Sequence, residues 1–506
     1  MLKMGLNMSL FCKVALFLIV VIAFELRTIN LTNNPPELAS DELINFVSAR
    51  SIIETGKDLD GRLLPYFSDR VELRPPIYGY TAYLSSKLFG NKPFSIRLPA
   101  VIFGIITIIM LFELTLEITK NQIAALFAAF CLAIIPWHIH YSRVGWEPAS
   151  LLPFILTAIF LSIKGLNQEK PWLILVGFGF FSLTIYTYQA APLLSFLFLI
   201  TIVLFNYRYF LNQRNTFISG VLIAGILALP YIWTALNEPH LYERARRIST
   251  FSQGFNSESL KIFLRNYISH FSHQFLFVSG DPNLRHGAQT GVLYWWMWPF
   301  IILGLLLLYK SANKRWYIGL ITFWIIIFPL GGSLTNDGVP HATRTLVGAP
   351  LFCLVAGIGF WQVIQFAYSK TKSKLFVGTI LVVIFALTFG FLATFLQKYF
   401  FAYPKQSSTW WDYGHKEIFA KVRSIENQYK RVCLGNLTYW SEIPLKNYYL
   451  QNTPLYIIND IHDPACPQSG SIIVVKANED IFHGGDLFST VYDLEKHPKY
   501  YIYMID

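Results

Sequence analysis

The sequence predicts a membrane all-α protein of about eleven transmembrane helices, with amphipathic helices in its first outer loop and a small C-terminal soluble α/β domain. Three observations predict it. Hydrophobic residues make up 54% of the chain and charged residues only 14%, more apolar surface than one soluble core can hide. Apolar runs of bilayer length recur from Leu10 to Leu396, separated by short basic breaks. After Gln397 the chain becomes charged and Tyr-rich.

A helix needs roughly 20 apolar residues to cross the hydrocarbon core. Runs that meet this condition lie near Leu10 to Ile29, Leu98 to Glu117, Gln122 to His140, Ala149 to Ile163, Trp172 to Tyr188 and Pro192 to Tyr209. Others lie near Thr216 to Ala235, Val292 to Leu308, Trp316 to Gly331, Leu346 to Phe366 and Leu375 to Leu396. The first run follows Lys3 and spans Lys13 with no small-residue cleavage site after it, so it reads as a retained anchor.

Orientation follows from the short loops, because the cytoplasmic side collects Lys and Arg. With the N-terminus inside, the inner loops carry Lys120, then Lys164 and Lys170, then Arg208 and Arg214, then Lys310, Lys314 and Arg315, then Lys370, Lys372 and Lys374. Residues 30–97, 236–291 and everything after 397 then lie outside. This topology accounts for the formal charge of +11, so the charge calls for no nucleic-acid partner.

The chain divides into a polytopic transmembrane domain, 1–396, and an outer α/β domain, 397–506. Short β-like runs at Arg431 to Leu434, Leu455 to Ile458 and Ser471 to Lys476, and a helix-like stretch from Glu417 to Tyr429, define the second. Cys12, Cys131 and Cys353 fall in apolar runs and read as packing residues. Cys433 and Cys466 lie in the outer domain, where an oxidising compartment permits a disulfide but two cysteines do not establish one.

Polar residues crowd the outer face. The first outer loop contains DELINFVSARSIIETGKDLDGRLLPYF, where Ser40 is placed to cap a helix whose first turn holds Asp41 and Glu42. Leu43, Phe46, Val47, Ile52 and Ile53 give that helix an apolar face suited to the membrane surface. A second amphipathic helix is expected from Ile77 to Leu88, after Pro75 and Pro76. Two carboxylates this close to a helix exit belong in a wet cavity, not against lipid. The outer histidines His138, His140, His273, His286 and His341 lack metal-binding spacing and read as interface anchors or acceptor contacts. No metal ligand is assigned and no cofactor follows from the pattern, although a divalent cation stays open.

The acidic pair, the TG of ETGKDL, RPPIYGY, FGNKPFSIRLPA and PWHIHYSRVGWEPASLLPF together resemble the lipid-linked-sugar glycosyltransferases. That family includes the protein O-mannosyltransferases and the lipid A aminoarabinose transferases. TIYTYQAAP, SGDPNLRHG and PHATRTL look like its bacterial branch, and the resemblance extends from about Asp41 to Gly357.

The resemblance implies a GT-C type fold with an essential acid in the first outer loop. Asp41 and Glu42 match the acidic pair, and Glu147 occupies the position of the second acidic motif. A polyprenyl-phosphate sugar carries its own leaving group, so the chemistry needs a base for the acceptor hydroxyl and cations for the departing phosphate. Asp41 is expected as base, with Glu147 orienting the acceptor or supporting Asp41 and Glu42 beside them. Arg74, Arg143 and Arg344 are expected as a phosphate clamp, because guanidinium pairs with phosphate in bidentate fashion.

Glu72, Tyr188, Gln189, Asp281, Arg285, His286 and His341 are placed in the substrate cavity. The aminoarabinose branch usually has lysine where this chain has Arg74, which leaves sugar and acceptor open. Expected partners are the polyprenyl-phosphate sugar donor, membrane lipids, and an acceptor lipid, glycan or protein. The expected location is a bacterial inner membrane with the site on the periplasmic side.

Each residue also has a plainer reading. Asp41 and Glu42 fit a dipole-stabilised first turn, Glu147 an ion pair with Arg143, the arginines headgroup anchors, and Asp281 with Arg285 a loop-holding pair. A lipid or sugar transporter is the main rival, although its charges would sit at mid-membrane. A non-enzymatic membrane assembly protein is a third reading.

Overall fold

The computed structural model describes residues 8–63, 67–68, 73–311, 315–435, 437, 443–478 and 484–506. Each apolar run holds helix. The chain begins with α1 (Leu10–Thr28), α2 (Ser40–Thr55), α3 (Ile77–Phe89), α4 (Pro93–Thr119), α5 (Gln122–Ile134), α6 (Pro136–Tyr141) and α7 (Pro148–Gln168). Six described helices are long and apolar enough to cross a membrane: α4, α7, Arg214–Asn237, Trp316–Ser333, Gly348–Thr371 and Lys374–Ser407. Four shorter apolar helices accompany them, namely α5, Pro171–Thr184, Ala191–Phe205 and Trp295–Leu306. The protein is an integral membrane protein, and its fold is mostly helical. Ile218, Leu222 and Ile226 on one long helix, and Val382, Phe385 and Phe389 on another, stay exposed as side chains facing lipid would.

Proline sets the geometry under the site. Residues before proline are driven out of the helical region, and Ile135 sits at φ −64°, ψ 142° before Pro136. The break ends α5 and starts α6, turning the chain toward Glu147. Arg27 of α1 is buried and bonds the carbonyls of Ala23 and Ala133 and the Nδ1 of His138, joining α1 to this corner.

The C-terminal part of the chain holds a five-stranded mixed sheet. A two-residue pair between α2 and α3 supplies β1 (Phe67–Ser68) and β2 (Leu73–Arg74). The C-terminal part itself supplies β3 (Arg431–Leu434), β4 (Tyr456–Ile458), β5 (Ser471–Lys476), β6 (Asp486–Tyr492) and β7 (Pro498–Ile505). Strand order is β4-β3-β5-β7-β6, parallel across the first three and antiparallel across the rest. A helix at His415–Ile425 packs on it, and Cys433 and Cys466 are joined in a disulfide.

Two expectations for the first outer loop are corrected. The apolar face of α2 does not lie on lipid. Leu43, Phe46 and Val47 share one buried cluster with Ile418, Phe419 and Leu445 of the C-terminal part, and the Phe46 and Tyr448 rings meet edge-on at 5.7 Å. Burying each such side chain contributes about 1.5–3 kcal/mol, so the C-terminal part is seated on α2. Nor is Ser40 the cap, since it is the first residue of α2, and its own N–H and Oγ donate to Asp412 Oδ2 at 3.1 and 2.9 Å. By contrast α3 keeps Leu84, Leu88 and Phe89 exposed, as an interfacial helix should.

Candidate active site

The start of α2 leaves Asp41 partly open to the surface, with its side chain 27% exposed. Two guanidinium groups meet it. Arg74 NH2 donates to Oδ1 at 2.9 Å, and Arg285 NH1 donates to Oδ2 at 3.2 Å. The other arm of Arg74 reaches Glu147 Oε1 at 3.1 Å, so one guanidinium spans both acids. Arg74 ends β2 immediately before Pro75 and Pro76, and Ile77 N–H bonds Tyr186 O at 3.3 Å. That turn fixes where the arginine points.

Arg285 is fixed as firmly. Its Nε donates to Trp410 O at 2.6 Å, its NH2 lies 3.6 Å from Asp412 Oδ2, and its carbonyl oxygen is 2.7 Å from His140 Nε2. The segment around Trp410 and Asp412, which leads to the sheet, therefore holds Arg285 against Asp41. Trp411 stacks on Trp146, centroids 5.5 Å apart, next to Glu147.

These charges set the acids apart. Burial would raise the Asp41 carboxyl, but Arg74, Arg285 and Arg244 outweigh it and hold it at about 2. Burial pushes Glu147 above its ordinary value, with Arg74 opposing. Two carboxylates on one guanidinium thus differ in proton affinity, an arrangement common where acid and base roles divide.

Several expected residues lie elsewhere. Glu42 is fully buried against Arg97, whose Nε and NH2 each donate at 2.8 Å, and it accepts from the backbone N–H of Gly145 and Ala39. A Cβ on Gly145 would come 2.9 Å from Glu42 Oε1, so glycine permits this approach. Arg143 is also buried, its donors on the carbonyls of Leu26, Ile29 and Asn34, with the Tyr399 and Phe400 rings beside it. Among the described residues it pairs with no acid, and Glu147 bonds Arg74 in its place. Arg344 holds its own loop through Thr335 Oγ1 and Asp337. The structure brings Arg74 and Arg285 to Asp41, and neither Arg143 nor Arg344.

Tyr188 is half-buried and Gln189 exposed on a connection whose Thr187 carbonyl accepts from Ser150 Oγ, three residues past Glu147. Asp281 pairs with His286 at 2.7 Å, not with Arg285, and His341 stacks on His286 with centroids 4.4 Å apart. Glu72 lies outside the described residues. Sequence reasoning missed Arg244, Trp410 and Asp412, none of which sits in a recognisable box. Arg285 was placed in the cavity, but nothing in the sequence pointed to its bond with Asp41.

Comparison with known proteins agrees with the resemblance. Residues 73–233 match the sequence model of the family described as dolichyl-phosphate-mannose-protein mannosyltransferase. A putative mannosyltransferase of Bacillus subtilis (strain 168), YkcB, is 27% identical over 132 residues, covering 25% of this chain. The chain spans only 18% of the length of that relative.

Among solved structures, ArnT from Cupriavidus metallidurans bound to undecaprenyl phosphate superposes with a TM-score of 0.60 at 14% identity, covering 98% of each chain. The archaeal oligosaccharyltransferase AglB from Archaeoglobus fulgidus, in complex with an inhibitory peptide and a dolichol-phosphate, gives 0.53 at 12% identity, covering 87% of this chain and 64% of that one. The fold is the GT-C fold.

Proposed function

We propose that this protein transfers a sugar from a polyprenyl-phosphate carrier to an acceptor hydroxyl or phosphate at the outer face of the membrane, inverting the anomeric centre. The observation that carries the reading is the guanidinium of Arg74 shared by Asp41 and Glu147, with Arg285 on the second Asp41 oxygen. Two arginines on a partly exposed carboxylate form a cationic seat that an incoming phosphate can claim. The lipid phosphates bound in ArnT and AglB support a carrier of this class.

In the resting protein Asp41 is too acidic to be an effective base. When the donor phosphate draws Arg74 and Arg285 to itself, Asp41 loses its counter-charges and its proton affinity rises. Its carboxylate then accepts the acceptor O–H proton as that oxygen bonds to the anomeric carbon. The bond from the anomeric carbon to the phosphate oxygen breaks, and its electron pair leaves on the carrier phosphate, where the arginines stabilise it. Glu147 steadies Arg74 and orients the acceptor.

Eleven crossings, a transmembrane domain over 1–396, an outer domain over 397–506 and a site on the periplasmic side of a bacterial inner membrane complete the reading. The test is to incubate the detergent-purified protein with a panel of polyprenyl-phosphate sugars and score released polyprenyl phosphate. Release with one donor class is the expected outcome. No release from any donor, with or without candidate lipid, glycan and protein acceptors, would sink the reading.

A further inference from the structure

A second cluster, around Asp281, is left unused by sugar transfer. Asp281 opens a turn in which its Oδ1 accepts the N–H of Asn283 at 2.8 Å. Its Oδ2 accepts the N–H of Ala342 at 2.7 Å and lies 2.7 Å from His286 Nδ1 and 3.9 Å from His341 Nδ1. His341 is 6% exposed, and its Nδ1 is a buried polar atom with no hydrogen-bond partner. Its backbone N–H bonds His270 Nε2 at 3.0 Å, which fixes the loop that carries it.

One ligand atom each from Asp281, His286 and His341 lies within 4.8 Å of the others. We propose that these three residues bind a single divalent transition-metal ion of the zinc class. A carboxylate and two imidazoles are a common donor set for such an ion when a fourth position is left open. The residues come from two separate loops, so no sequence spacing announces the site.

The surroundings favour a metal over a plain hydrogen-bonded pair. His341 Nδ1 lies 3.9 Å from Asp281 Oδ2, beyond hydrogen-bond reach, and is left without a partner of its own. A buried ring nitrogen without a partner is unfavourable, and an ion at this point would supply one. The two backbone N–H groups orient the Asp281 carboxylate, as a good ligand requires. His286 follows Arg285, which holds Asp41, and its ring lies 6.0 Å from that of Trp146, next to Glu147.

The site stands apart from the glycosyl-transfer reading, because occupancy is measured on resting protein. Full-length protein without a histidine tag would be chelator-stripped, titrated with Zn²⁺ or Co²⁺, desalted and assayed for bound metal by mass spectrometry. The Co²⁺ form would be followed by its visible absorption. Wild type and Asp41→Asn should each retain about one equivalent.

His341→Ala and Asp281→Asn should weaken binding by at least the ~100-fold that losing only a ligand's supporting hydrogen bond can cost. His286→Gln serves where either variant fails to fold. Wild-type protein that retains no metal, or folded His341→Ala or His286→Gln that retains a full equivalent, would overturn the site.

Discussion

Asp41 and Glu42 are neighbours on one helix, yet they belong to different regions of the molecule. Asp41 is partly open to the surface, and both guanidinium groups that hold it are shared with a further acid, Glu147 or Asp412. Glu42 faces a sealed layer where Arg97 grips both of its oxygens and spends its remaining donors on the carbonyls of Leu31, Pro35 and Glu37. Side chains one position apart on a helix point about 100° apart, which is enough to send one to solvent and the other inside. The Asp41 carboxylate is 27% exposed, whereas that of Glu42 and its Arg97 partner are 0% exposed. Chemistry and structure are separated here by access, not by residue type.

The largest effect expected from this contrast is on the sealed side. Arg97→Met leaves Glu42 charged, buried and without its partner, a loss of about 3–5 kcal/mol for pairs of this kind. The variant should yield little folded protein, and its melting temperature in detergent should fall steeply. An unchanged melting temperature would mean that the two regions are not as different as the geometry makes them.

Next in size is the open side. Asp41→Asn keeps the shape and removes the charge and the proton acceptor, so turnover should fall by about 100-fold or more while the melting temperature stays close to wild type. Donor binding should change little if, as proposed, the arginines hold the phosphate. Normal turnover by folded Asp41→Asn protein would move the base to Glu147, whose carboxyl burial already raises.

Much of this contrast was legible in the sequence, and the part that was not has a physical cause. Apolar periodicity located the helices, and the boxes around Asp41, Arg74 and Glu147 announced residues that do meet. The strands β3, β4 and β5 were expected, whereas β6 and β7 were not, since β6 is an edge strand with mostly exposed side chains and no clear alternation. The arginines were the hardest to sort. Arg74, Arg97, Arg143 and Arg344 all lie near helix ends, and only tertiary contacts tell which guanidinium groups are saturated by carbonyls. Asp412 and Trp410 reach Arg285 from a segment far away in sequence, and local pattern holds no trace of such a contact.

Glu37 sharpens the comparison with a smaller effect. It is sealed like Glu42, but its carboxylate accepts from the backbone N–H groups of Gly414 and Lys416 and, among the described residues, has no guanidinium partner. Burial raises it from 4.5 to about 7, with the two N–H groups and Lys499 opposing. Because the folded value lies above the unfolded one, the folded protein holds the extra proton between them. The stability this group supplies is therefore present below about 4.5 and lost as pH rises through about 7. Glu37→Gln cannot titrate, so its melting temperature relative to wild type should rise by no more than a few degrees between pH 5 and pH 8. Melts followed by tryptophan fluorescence at several pH values would measure that difference, in which all other titrating groups cancel. A difference that stays constant across the range would mean Glu37 is ionised throughout, and that two backbone N–H groups can hold a sealed carboxylate as well as the Arg97 guanidinium holds Glu42.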